Sequence, residues 1–431
     1  MKIRHFRWWV ALLLAAATAV NYLDRLNFPT AVTALKSDIP ISDKQYAWMQ
    51  SLFLLGYGIM YAGGGKIMDW LGTRVGYTLM IVWWSLANLM HGLVSGSFGL
   101  GLARVLLGLG EGGGFPGSAK AVSEWFPPKE RSFAFGIFNT GSAVGMVTAV
   151  PLVTVLILTL GWRSVFIVTG LAGIVWAVIW FLIYGPPEQH ALVTEEERRY
   201  VREGLAESAP AGVQEAATRV RWIDLLGYRQ VWGVLLAKFF SDAAWWFLIF
   251  WLPKYLSAPP RSLDLKDVGT YGWIPYVGAG IGSFCGGYLS SLLMQRGLSL
   301  NHSRKIALII SAGLMPLTIF VDWAPLWAAI ALYAVGLLAH QFWSTIIQTL
   351  AADLFPSSLV GSFAGLLGAV GCLAGVLYQP LVGRLVTATG SYASVFLISG
   401  LLHPLSCLFI LLFVGEIRML PLKKQGTCHN A

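Results

Sequence analysis

Apolar stretches long enough to cross a bilayer recur along this entire chain, and no other feature limits its fold as strongly. A helix of about 20 apolar residues spans the hydrocarbon core. Such stretches fall at 7–34, 46–68, 76–95, 98–121, 132–158, 163–184, 229–254, 269–294, 306–322, 325–350, 359–385 and 391–415. Lipid gives backbone groups no hydrogen-bond partner, and the stretches are far longer than barrel strands, so each is expected to be a helix. Of the 431 residues, 56% are hydrophobic and only 12% charged, against about a quarter charged in a soluble domain. The expectation is an all-α membrane protein with twelve transmembrane helices.

The net charge of +9 reports topology rather than an affinity for nucleic acid. Of the 30 Lys and Arg residues, seven fall in outer loops or span ends (Lys36, Lys44, Arg163, Lys254, Arg261, Lys266, Arg384) and four within spans (Arg25, Arg104, Lys120, Lys238). The other 19 lie on the side of the two termini. By the positive-inside rule both termini are cytoplasmic. The basic start followed by Trp8–Val20 imitates a signal peptide, but the apolar run continues past Asp24 and Arg25, which argues for a retained first span. Cys285, Cys372, Cys407 and Cys428 show no metal-ligand spacing, and neither a disulfide nor a metal is expected.

One long polar stretch divides the chain into residues 1–184, a linker at 185–228 that is expected to be cytoplasmic, and residues 229–431. Six spans precede the linker and six follow it. The halves resemble each other: Glu124-Trp125-Phe126-Pro127 after the fourth span is matched by Asp353-Leu354-Phe355-Pro356 after the tenth. Duplicated six-helix units of this kind hold substrate near the midplane between them. The loop Gly65-Lys66-Ile67-Met68-Asp69-Trp70-Leu71-Gly72-Thr73-Arg74 resembles the loop signature of the major facilitator superfamily, with Trp70 where that signature usually has Arg. The resemblance implies a major facilitator fold of two six-helix bundles.

Charges inside spans are expensive, at roughly 2.5–3.5 kcal/mol or more each at the bilayer centre, and normally face a cavity or a partner. The first span holds Asp24 and Arg25, the fourth Arg104 and Glu111, the seventh Lys238 and Asp242. Arg104 and Glu111 are two turns apart on one helix face, and Lys238 and Asp242 also share a face, whereas Asp24 and Arg25 point in different directions. These groups serve either as ion pairs joining helices or as a cavity whose Arg25, Arg104 and Lys238 attract an anion. The planar, permanently charged guanidinium suits a carboxylate. Asp24 and Glu111 are the candidate proton carriers, because burial and a nearby cation oppose each other on a carboxyl group. Tyr22 shares a helix face with Arg25, and Tyr57 lies mid-span. The tenth span carries His340, Gln341, Trp343, Ser344 and Gln348, a polar cluster suited to a binding site, while Trp245 and Trp246 could stack on a sugar ring.

These residues resemble the anion:cation symporter family of the major facilitator superfamily, and within it the bacterial hexuronate (galacturonate and glucuronate) transporters. The resemblance rests on Asn21-Tyr22-Leu23-Asp24-Arg25, Glu111 with Phe115-Pro116, Gly136-Ile137-Phe138-Asn139, Lys238-Phe239, Trp245-Trp246, and Ala339-His340-Gln341 with Trp343-Ser344. It implies proton-coupled uptake of a sugar acid by alternating access across the inner membrane. Arg25 would hold the substrate carboxylate, assisted by Tyr22 and Tyr57. Asp24 and Glu111 would carry protons, with Arg104 tuning one of them, and Asn139 and Ser142 would be polar contacts from the fifth span. Leu26, Gly114 and Ile346 stand where the family often has Gln, Asn and Asn.

A carrier of galactonate, glucarate, tartrate or phosphate remains an alternative, as does a drug or metabolite antiporter. An enzyme is not expected, since no nucleophile set, metal cluster or P-loop is present. The partners implied are a sugar-acid anion, protons and the lipid bilayer, with no cofactor and no nucleic acid, and the carrier is expected to be a monomer.

Overall fold

The computed structural model describes residues 3–188, 190–206 and 222–420. Most of the linker at 207–221 lies outside the described residues, as do Lys2, Arg219, Arg221, Lys423, Lys424 and Cys428. The first bundle consists of α1 (Phe6–Leu35), α2 (Asp43–Leu71), α3 (Thr73–Leu93), α4 (Ser97–Glu111), α5 (Gly114–Trp125), α6 (Pro128–Leu160) and α7 (Trp162–Ile183). A short polar helix, α8 (Glu195–Ala206), follows. The second bundle consists of α9 (Arg229–Ser257), α10 (Leu265–Tyr271), α11 (Ile274–Gln295), α12 (Leu300–Leu314), α13 (Leu326–Leu354), α14 (Ser357–Thr389) and α15 (Ala393–Phe409). Among the described residues the sole β-pairing is a bridge between Ile3 and Val193.

Nine spans among the described residues are long and apolar enough to cross a bilayer by themselves. The other three are α2 and α3, diluted by Gly, Tyr, Trp and Asn, and the fourth span, which is not one helix. It breaks at Gly112 and Gly113 into α4 and α5. There it passes so close to its neighbours that a Cβ on Gly112 would sit 2.3 Å from the Tyr57 carbonyl oxygen. The eighth span is likewise in two pieces, α10 and α11.

Lipid supplies no hydrophobic drive for helices to associate, so close backbone approach through small residues does much of the work. At Gly108 an added Cβ would lie 2.1 Å from the Phe53 carbonyl oxygen of α2. The corresponding pair in the second bundle closes the same way, with Gly278 and Gly282 of α11 each 2.2 Å, by the same measure, from a carbonyl oxygen of α13. The repeat noted in the sequence also has a structural counterpart. Phe126 ends α5 and Pro127 opens α6, as Phe355 ends α13 and Pro356 opens α14. Glu124 accepts from Thr73 Oγ1 (2.7 Å) and Tyr184 Oη (2.5 Å). Asp353, its equivalent, pairs with Arg304 (2.8 Å). Nearby, Asp69 pairs with Lys120, and Trp70 points into the surroundings.

At the same end of the molecule α8 docks on the start of α1. Glu197 accepts from the backbone N–H of Phe6 (2.8 Å) and Arg7 (3.1 Å), and Arg7 also pairs with Glu130 (2.8 Å). A carboxylate here satisfies first-turn donors and complements the helix dipole. The two bundles meet along α2 and α14. Asp43 pairs with Lys254 at the end away from α8, Tyr46 Oη donates to the Phe250 carbonyl (2.5 Å), and Ser51 Oγ donates to that of Val376 (2.7 Å). The bundles are therefore closed on each other at the end opposite α8.

Gly108→Ala is expected to lower the melting temperature of the detergent-solubilised protein, because overpacking costs about 1–3 kcal/mol. Gly63→Ala, where an added Cβ meets nothing within 4 Å, is expected to leave it unchanged or raise it. Equal melting temperatures for the two variants would refute this account of the helix contact.

Candidate functional site

Asp24 and Arg25 are neighbours on α1 and leave it in different directions. Arg25 turns toward α4 and α2. Its Nε donates to Glu111 Oε2 (3.1 Å) and its Nη2 to Asn21 Oδ1 (2.8 Å). The guanidinium lies over the rings of Tyr22 (4.4 Å) and Tyr57 (4.7 Å), with Phe53 and Trp246 at 5.9 Å. Trp246 comes from α9, so the Arg25 site lies where the bundles meet. Both members of the Arg25–Glu111 pair are buried, with side-chain exposures of 2% and 0%. At that depth an ion pair survives only with good geometry and further hydrogen bonds.

Arg104 lies two turns before Glu111 on α4, yet its direct contact is elsewhere. Its Nη2 donates to Gln50 Oε1 (2.7 Å), and Phe53 (4.3 Å) and Phe28 (5.3 Å) cover its face. Its Nε and Nη1 have no hydrogen-bond partner among the described residues, nor does Glu111 Oε1. Arg104 is thus a second buried cation, within electrostatic reach of Glu111 but not paired with it.

Asp24 turns the other way, into the first bundle. Its Oδ1 accepts from Asn88 Nδ2 (2.8 Å) and Asn27 Nδ2 (3.3 Å), and both amides also donate to Thr169 Oγ1 (2.7 and 2.8 Å). Its Oδ2 has no partner among the described residues. Two amides therefore donate to this carboxyl, and no cation is in contact with it among the described residues.

A second polar centre lies in the other bundle. Lys238 pairs with Asp242 (2.9 Å), which also stands 3.9 Å from His340 Nε2. Trp245 stacks on His340, and Trp246 donates to the Gly371 carbonyl (2.9 Å). Gly371 and Cys372 of α14 separate this centre from Gly58 of α2. On α13, Trp343 packs edge-on against His403, and Ser344 accepts from Gln348 (3.1 Å). Gln341 is half-buried. On α6, Ser142 Oγ donates to the Asn139 carbonyl (2.7 Å), and the Asn139 side chain is exposed. Among the described residues, no three His, Cys, Asp or Glu side chains gather as a metal site would require.

The structure therefore brings Tyr22, Arg25, Tyr57 and Glu111 into one constellation and Lys238, Asp242, Trp245 and His340 into another. Of the two adjacent tryptophans, Trp246 is the one that faces Arg25, while one face of Trp245 is already covered by His340. Asn27, Asn88, Thr169, Gln50 and His403 were not singled out from the sequence. The available signal was a lone amide or imidazole in an apolar span, which seldom sits there without a partner. Of the three departures, Leu26 and Ile346 are core residues. A Cβ at Gly114 would lie 3.7 Å from Asn21, beside the Arg25 constellation.

The model of the Major Facilitator Superfamily matches residues 14–379. The chain belongs to this superfamily. It is 33% identical over 392 residues to the hexuronate transporter of Escherichia coli strain K12, covering 90% of each chain. It is 34% identical over 316 residues to the galacturonate transporter of Dickeya chrysanthemi, covering 73% of this chain and 90% of that one. A solved D-xylose-proton symporter has the same fold, with a TM-score of 0.75 at 15% identity, covering 95% of this chain and 98% of that chain. As a major facilitator protein the chain is a transporter and not an enzyme, and its buried charges are to be read as parts of a carrier.

Breaking one side of a buried pair costs about 3–5 kcal/mol, because an uncompensated charge remains. Arg25→Met is therefore expected to lower the melting temperature sharply, and Arg25→Met with Glu111→Gln is expected to recover much of the loss. A double-mutant cycle on thermal unfolding checks this; additive losses would show that the pair is not coupled.

Proposed function

We propose that this protein is a proton-coupled symporter that imports a sugar acid, a hexuronate such as galacturonate or glucuronate, by alternating access. The observation that carries this reading is the Arg25–Glu111 pair. Arg25 is buried, walled by Tyr22 and Tyr57 and by Trp246 of the other bundle, and its carboxylate partner can be replaced by a substrate's. The names of the relatives support the choice of anion.

In this mechanism the incoming carboxylate takes the guanidinium and Glu111 loses its cation. A carboxylate left unpaired in a dry site is neutralised by a proton, so anion and proton enter together. Asp24, in its amide cage, carries a second proton, and Arg104 sets the field at Glu111. Tyr22 and Tyr57 orient the carboxylate. Asn139, Ser142, Gln341 and Ser344 offer polar contacts to the sugar hydroxyls, with Lys238, Trp245, His340 and Trp343 completing the second-bundle wall. The two bundles, residues 1–184 and 229–431, rock against each other around the site between them, with 185–228 as their cytoplasmic connection. The protein sits in the inner membrane as a monomer, with α8 and both termini in the cytoplasm. Closure at the end opposite α8 is one side of that cycle.

Uptake of labelled galacturonate, glucuronate, galactonate, tartrate and phosphate into proteoliposomes under an imposed pH gradient tests the reading. Proton-stimulated uptake of a hexuronate is expected, and failure to take up any sugar acid would refute it. Arg25→Lys, which loses the planar fork, is expected to reduce uptake on the order of 100-fold. Glu111→Gln is expected to abolish uphill accumulation while preserving exchange of internal for external substrate. Uphill accumulation by Glu111→Gln with an unchanged pH profile would remove Glu111 from the coupling mechanism.

A further inference from the structure

Asp242 is one carboxylate between two bases. Its Oδ2 holds Lys238 Nζ at 2.9 Å, one turn away on α9, while its Oδ1 faces His340 Nε2 of α13 at 3.9 Å. His340 Nδ1 meets Nε2 of His403, on α15, at 3.2 Å. One imidazole must donate to the other, and His403 Nδ1 has no partner among the described residues. The remaining groups facing this array are few. Ser241 lies beside Asp242 on α9, and Cys372 of α14 and Tyr61 of α2 are within electrostatic reach of it. The place is tightly fitted, since a Cβ on Gly371 would lie 2.1 Å from Asp242 Oδ2 and 3.3 Å from Lys238 Cε. Across Gly371 and Cys372 lies Gly58 of α2, next to Tyr57 of the Arg25 constellation.

We propose that Lys238 is a second anchor for the substrate anion, and that the Asp242–His340–His403 array releases it for that role when the imidazole pair takes up a proton. The proposal rests on the sugar-acid reading and adds to it a control in the second bundle, apart from Asp24 and Glu111. In the structure as it stands, Asp242 is engaged with Lys238 and short of His340, so the lysine charge is spent. One proton from the aqueous side, bound at a ring nitrogen, makes the pair an imidazolium. The imidazolium draws Asp242 toward His340 and frees the ammonium for a substrate carboxylate. Return of the proton to water restores the Lys238–Asp242 pair and expels the anion. No bond other than one N–H forms or breaks, and the proton is regained in full. The sign suits import: binding is favoured on the more acidic side and release on the less acidic side.

Equilibrium binding of galacturonate to the purified full-length protein, measured from about pH 8 to about pH 4.5, well past the range in which a free imidazole titrates, tests this. Wild-type binding is expected to tighten as the pH falls. His340→Gln is expected to bind weakly throughout and to keep only the part of that tightening that comes from Glu111. Asp242→Asn, which leaves Lys238 unpaired, is expected to bind on the order of tenfold tighter than wild type at the alkaline end, with a flatter profile. Lys238→Gln is expected to be weak at every pH and equally flat. A wild-type slope retained in His340→Gln would overturn the proposal. So would an Asp242→Asn protein that binds as weakly as Lys238→Gln, because the pair would then be structural only. Should Asp242→Asn fail to fold, the His340→Gln and Lys238→Gln profiles decide alone. A wild-type protein that binds no sugar acid would overturn the underlying reading together with this one, whereas binding with unaltered variant profiles would overturn this one only.

Discussion

The Arg25–Glu111 pair is the interaction on which the rest of the site depends. Burying either group without a partner is costly, because the desolvation of an unpaired charge exceeds what one helix contact returns. Their pairing across α1 and α4 fixes the rotation of both helices, and the aromatic rings of Tyr22, Tyr57 and Phe53 close around the guanidinium. In the mechanism proposed above the pair is also exchangeable, since a substrate carboxylate of the right reach would do for Arg25 what Glu111 does. A carrier needs a contact that holds the fold without substrate and can be given up to it.

The two bundles handle charge differently. In the first, a cation and an anion meet directly, a second cation is held by Gln50 and two rings, and a lone carboxyl sits in an amide cage. In the second, a lysine and a carboxylate are neighbours on one helix, with imidazoles behind them. Both centres border the seam between α2, α9 and α14. In the proposed cycle, relative motion of the bundles would alter that seam, so binding and conformational change would share the same residues. Glycine makes this geometry possible at Gly108 and Gly371, where a methyl group would collide with a carbonyl or a carboxylate.

The number of spans, the repeat and the identity of the charged residues were legible in the chain. The length and polarity of each segment leave a bilayer-spanning helix as the only way to satisfy the backbone. The corner residues Glu124 and Asp353 were recognisable because they recur beside the same Phe-Pro step. The break at Gly112–Gly113 was not legible, since two glycines in an apolar run do not reveal how near α2 comes. Nor was the partner of Glu111. Helix periodicity places Arg104 on its face, but pairing is settled between helices, and the neighbouring helix brings Arg25 closer.

The sequence by itself determined that this is a helical membrane protein with a duplicated plan and a small set of interior charges, because hydropathy and helix periodicity are local properties. Only the tertiary structure decided which charges meet: Arg25 with Glu111, Lys238 with Asp242 beside His340, Asp24 with amides, Arg104 with a glutamine. Those choices depend on crossing helices at distances set by small residues far apart in the chain, and nothing local encodes them.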